Sequence, residues 1–171
     1  MAVTAKGTPY VESSDLVANY PGASLSLANH IDTSTGKVLQ VVRATDSTLR
    51  TTTSASYVDV TGMSVTITPT SATSTLMIVA ICRNQTDAAS CFVDTRITDS
   101  SNNALSGTQR SQFGSGSVSI ATISITGYVA PASTAALTYK LRFQKAGAGG
   151  TTATIGNDSI TGQMYAYEIS A

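Results

Sequence analysis

The chain has 171 residues, with 10 Lys or Arg against 10 Asp or Glu, so its formal net charge is zero and charged residues make up only 12% of it. That length suits one core rather than two ordinary domains, and without a basic excess the electrostatic footprint of a nucleic-acid binder is missing. A hydrophobic share of 42% is too high for a disordered chain, and the 27 Thr and 23 Ser keep the surface wet.

Residues 1–35 read as an N-terminal arm. Ser13 or Ser14 can cap a short helix over 15–19 that Pro21 is expected to stop, and 23–31 can form a further turn or two with Leu27 and Ile31 on one side. Neither piece can bury itself, so the arm is expected to pack on something else, for attachment or for packing within a trimer.

Residues 36–171 read as strands, because Thr and Val fit a pleated surface better than a helical one. Alternation is clean from Met63, where Val65 and Ile67 interleave with Ser64, Thr66 and Thr68, and again in Leu137, Tyr139, Leu141 and Phe143. Further candidates are 37–44, 56–61, 75–82, 91–98, 105–113, 117–129, 151–155 and 163–169. In 117–129 the apolar phase changes between Ile120 and Ile123, which predicts a bulge or bend. Turn signals such as Pro69-Thr70-Ser71 and the glycine run 147–150 separate these stretches, and no helix-length segment lies between them for a parallel crossover. The expected fold is all-β, an antiparallel two-sheet sandwich of jelly-roll type, with a short N-terminal arm containing one or two helical turns.

A sandwich strand buries one face, yet Leu76 to Cys82 and Val38 to Val42 are apolar on both parities. A second copy of the chain or the arm must then cover the outer face. Met77, Val79 and Ile81, or the opposite set Leu76, Ile78 and Ala80, are the candidate interface residues, together with Leu16 and Leu27 of the arm.

Chemistry is sparse. His30 is the single histidine and no G-x-S-x-G elbow accompanies it, so no catalytic residue is assigned and no enzymatic activity is expected. Asp87, Asp94 and Asp99 are the densest carboxylates, but Asp94 alternating with Arg96 reads as a wet strand face, and no metal or cofactor ligand is assigned. Gly147-Ala148-Gly149-Gly150 lacks the following helix of a phosphate loop and reads as a hairpin loop. Cys82 and Cys91 could face each other across a ladder or remain buried thiols. Tyr165 and Tyr167 share one strand face, where aromatics serve sugar stacking or packing. No apolar run approaches a membrane span, and the N-terminus shows no secretory pattern.

Two stretches resemble bacteriophage virion proteins, the tail-fibre or capsid-decoration β-sandwich modules of marine and cyanobacterial phages. One is Gly36-Lys37-Val38-Leu39-Gln40-Val41-Val42-Arg43-Ala44-Thr45, continuing through Tyr57-Val58-Asp59-Val60 to Ile67-Thr68-Pro69. The other is Tyr139-Lys140-Leu141-Arg142-Phe143 with the closing Tyr165-Ala166-Tyr167-Glu168-Ile169-Ser170. Thr8-Pro9-Tyr10-Val11-Glu12-Ser13-Ser14-Asp15-Leu16-Val17 resembles their attachment segments, while Thr75 stands where these proteins tend to carry a lysine. The resemblance implies a homotrimer on the surface of a phage particle, made in the host cytoplasm. Its partners would be other virion proteins through the arm, and a host surface glycan or protein, with no nucleic acid and no membrane insertion. The alternative from another class is a carbohydrate-binding, lectin-like domain or glycan-active module.

Overall fold

The computed structural model describes residues 2–3, 9–10, 20–33, 36–113 and 118–171. They fall into two compact units, Met1–Lys37 and Val38–Ala171.

In the first unit β1 (Ala2–Val3) pairs antiparallel with β2 (Pro9–Tyr10), and α1 spans Tyr20–Thr33. The expected helix over 15–19 lies outside the described residues. Pro21 starts a helix instead of stopping one: in the first turn its missing N–H has no intrahelical partner to lose, and its fixed φ suits the helix. The turn or two expected over 23–31 is the body of this 14-residue helix. Its Leu25 and Leu27 are exposed, and His30 lies in its last turn.

The second unit contains β3 (Val38–Asp46), β4 (Leu49–Thr52), β5 (Val58–Ile67), β6 (Thr75–Thr86), β7 (Phe92–Asp99), β8 (Arg110–Phe113), β9 (Ser119–Val129), β10 (Leu137–Ala146), β11 (Ala153–Gly156) and β12 (Gly162–Ile169). Every strand pairing is antiparallel. One sheet has the order β5-β10-β7-β8. In the other, β9 follows one edge of β6 along its length, while β12 and then β11 share the opposite edge, with β3 beside β12 and β4 beside β11. The main strands therefore run β3-β12-β6-β9 against β5-β10-β7-β8, the strand order of a jelly roll. Between the sheets lies a continuous apolar core that includes Met63, Leu76, Ile78, Leu141, Phe143 and Met164.

The corrections to the sequence reading are local. The candidates 56–61 and 63–68 are one strand, β5, bent at Gly62, whose φ of +93° side chains rarely adopt. Cβ at Gly62 would also come within 3.0 Å of Asp46 on the neighbouring sheet. The candidate 105–113 loses its first half to a turn, with Gly107 at a φ of +74°, and only Arg110–Phe113 is strand. The bulge expected within 117–129 is not there. The register of β9 on β6 is unbroken, Ile123 and Ile125 point inward, and Ile120 faces solvent.

Candidate subunit interface

The two sheets present unlike outer faces. On β5-β10-β7 the face is polar and its charges satisfy one another. Asp59 accepts from Lys140 Nζ at 3.0 Å and from Arg142 Nε at 2.7 Å, Gln144 donates to Asp94 at 3.2 Å, and the Arg96 guanidinium lies 3.7 Å from the Tyr57 ring centroid. Burial pushes the Asp59 carboxyl up, but Lys140 and Arg142 outweigh it and hold the group below its ordinary value.

The outer face of β3-β12-β6-β9 is apolar at its centre, with Thr45, Gln85, Thr122, Ser124, Thr126 and Gln163 also turned outward. Strand periodicity sends Leu76, Ile78, Ala80 and Cys82 into the core and turns Met77, Val79 and Ile81 outward, half-buried. Cross-strand register then fixes their neighbours. Met77 lies between Tyr167 and Tyr128, and Val79 between Tyr165 and Thr126. Beyond the tyrosines, Val41 pairs with Tyr167 and Arg43 with Tyr165. The rings of Tyr165 and Tyr167 stack at 5.9 Å, and the Arg43 guanidinium lies 5.7 Å from the Tyr165 ring. Val41 is 51% exposed and Tyr128 66%, although both belong to this apolar face. Its charges are Arg43 and Arg83, with no carboxylate among its outward residues on the four strands.

Of the two alternative sets on β6, the outward one is thus Met77, Val79 and Ile81. Leu27 belongs to the other unit, and Leu16 lies outside the described residues. Leu39 and Val41 fall in the run Val38 to Val42 that the sequence marks as apolar on both parities, whereas Ile120 and Tyr128 were missed as members of this face. Their signal exists only in the pairing of β9 with β6, which a single strand's pattern does not reveal.

The remaining sequence candidates do not converge. Asp87 is on the β6–β7 loop, where its Oδ2 accepts from Thr151 and Thr152, Asp94 is on the polar face, and Asp99 caps the turn after β7. No cluster of three or more His, Cys, Asp or Glu suited to a metal occurs among the described residues. Cys82 and Cys91 are free and buried, and the ladder across which they could face each other does not form, since β6 and β7 belong to opposite sheets. Burial pushes the Cys82 thiol up to about 12. The glycine run forms the β10–β11 loop, which passes from one sheet to the other instead of closing the expected hairpin.

No protein-family model matches the chain, and no curated protein matches it. Among solved structures, a mutant VP2 protein of infectious bursal disease virus in derived T=1 particles aligns over 77% of this chain and 36% of that one, with 14% identity and a TM-score of 0.43. The structure of the Gx strain of the same virus aligns over 81% and 38%, with 16% identity and a TM-score of 0.42. The chain therefore spans well under half the length of either neighbour.

Proposed function

We propose that the chain is a non-enzymatic structural component of a bacteriophage virion, a homotrimeric jelly-roll module of a tail-fibre or capsid-decoration protein displayed on the particle surface. The observation that carries this reading is the contrast between the two outer faces. The sheet that satisfies its own charges needs no cover, whereas the face of Val41, Met77, Val79, Ile81, Tyr128 and Tyr167 exposes the kind of contiguous apolar surface that marks an association site. A second and third copy are the occupants proposed, since a near-neutral chain meets little repulsion from itself. The number three and the docking of the arm on other virion proteins come from the resemblance of residues 8–17, 36–69 and 139–170 to phage modules.

Sedimentation velocity of the full chain at micromolar concentration tests the reading. A trimer is expected, and Val79→Glu, which places a charge on the outer face without touching the core, should give a folded monomer. A wild-type monomer, or a Val79→Glu trimer, would overturn it.

A further inference from the structure

At the end of the sandwich where β7 turns toward β8, the Asp99–Thr108 segment curls over the start of β10 and the end of β9 and forms one wall of an open cavity of about 420 Å³. Cavities of about 300–1,000 Å³ are the usual size of small-molecule sites. Apolar walls come from Leu105 and Leu137, Tyr128 adds an exposed aromatic ring, Tyr139 reaches the lining from the core, and Asp99 and Ser106 supply polar groups.

The segment that forms the wall is held in one conformation. Both carboxylate oxygens of Asp99 accept from Asn103, Oδ1 from its backbone N–H and Oδ2 from Nδ2, each at 2.9 Å. The Leu105 N–H donates to the Ile97 carbonyl at 3.0 Å. Thr108, fully buried, accepts from the Ile97 N–H at 3.3 Å, and its hydroxyl lies 2.7 Å from the Leu105 carbonyl oxygen that it donates to. On β9, a Cβ at Gly127 would stand 2.8 Å from Thr108 Cγ2 and 3.0 Å from Leu105 Cδ2, so a glycine there lets the wall close. A wall fixed before the ligand arrives spares the cost of ordering it on binding.

We propose that this cavity binds a neutral saccharide. An ionised carboxylate only accepts, and beside the two bonds from Asn103 and one from the Ser101 N–H Asp99 keeps a lone pair for a further donor. The ligand must therefore bring hydroxyl or amine hydrogens to Asp99 while laying an apolar surface on leucine and tyrosine, which is the two-sided chemistry of a sugar ring. An anionic ligand is repelled by the carboxylate. A cationic one meets Lys140, whose Nζ bonds Asn102 Oδ1 at 2.8 Å and whose charge acts on Asp99. The cavity lies within a single chain and shares only Tyr128 with the face proposed for assembly, so sedimentation and a glycoside titration test the two readings separately.

Amide NMR spectra of the full chain, titrated with methyl glucoside, methyl galactoside, methyl mannoside and choline, test it. At least one glycoside should give saturable shifts confined to residues 99–108 and 128–139, with a dissociation constant of about 1 mM or weaker. Ala104→Trp, made at an exposed position lining the cavity, should block it, and Asp99→Asn should weaken binding about tenfold or more. The dispersed spectrum of each variant reports its fold independently. The proposal is overturned if none of the three glycosides saturates, if binding survives both substitutions, or if choline binds in their place.

Discussion

Gln40 Nε2 donates to Glu168 Oε2 at 2.6 Å across the pairing of β3 with β12. The other carboxylate oxygen accepts from the Thr70 N–H at 2.7 Å and from its hydroxyl at 2.8 Å. One fully buried carboxylate thus joins the first strand of the sandwich, the last strand and the β5–β6 turn.

Burial raises the Glu168 carboxyl, but the bonds from Gln40 and Thr70 outweigh it and bring the pKa down to about 2 from an ordinary 4.5. A depressed folded-state pKa contributes stability that is present above 4.5 and lost as the pH falls through about 2. The urea midpoint should therefore fall between those values. Glu168→Gln should cost about 2–3 kcal/mol at neutral pH and flatten that acid limb. An unchanged limb in the variant would show that other carboxylates carry the acid sensitivity.

Glycines separate into two kinds by their surroundings. A Cβ at Gly149 would lie 1.8 Å from the Ala89 carbonyl oxygen, whereas Gly107, at a φ of +74°, has nothing within 4 Å. Gly149→Ala must push apart the β10–β11 and β6–β7 loops and should destabilise by about 3 kcal/mol. Gly107→Ala meets only left-handed backbone strain and should cost about 1–2 kcal/mol. Equilibrium unfolding of the two variants measures the difference, and equal losses would contradict it.

Asp59 is half exposed, so its two ion pairs are screened despite good geometry. Asp59→Asn should cost at most about 1 kcal/mol and should lose that effect in high salt. A larger, salt-independent loss would mean that this polar face is covered in the assembled protein.

The sequence shows the strands because period two survives wherever one face is buried, as in Leu137, Tyr139, Leu141 and Phe143. It also marks Leu76 to Cys82 as apolar on both parities, without deciding whether Met77, Val79 and Ile81 or Leu76, Ile78 and Ala80 face outward. Pairing is less accessible. Leu49–Thr52 is strand only because β11 supplies a partner, and nothing in Leu-Arg-Thr-Thr announces it. Ile120 looks like a phase change until the unbroken register of β9 shows it facing out with Tyr128. The saccharide cavity was half visible, since Asp99 was singled out, but the fold substitutes Tyr128 and Tyr139 for Tyr165 and Tyr167 as its aromatics.

Removal of residues 1–35 separates attachment from folding. The core of the second unit is drawn from strands β5 to β12, all beyond the deletion. The truncated chain should keep its β-sheet circular dichroism and its cooperative unfolding while no longer joining particles. Loss of cooperative unfolding would make the arm part of the core and remove the support for a docking role.

The chemistry of the outer face determines how assembly should respond to salt. Lys140 and Arg142 both pair with Asp59 on the polar sheet, and the apolar face carries Arg43 and Arg83 without a carboxylate to meet them in a second copy. Association through Val41, Met77, Val79 and the tyrosines then rests on burial of apolar area, which simple salt does not screen. Between about 50 mM and about 1 M sodium chloride the Debye length falls severalfold, yet the sedimentation coefficient of the assembled chain should stay constant. Repulsion between copies of Arg43 and Arg83 would, if anything, make assembly slightly tighter at the high end. Dissociation at 1 M would instead assign the contact to complementary charges, such as those of the polar face of Asp59, Asp94, Lys140 and Arg142, and would move the interface away from the apolar face.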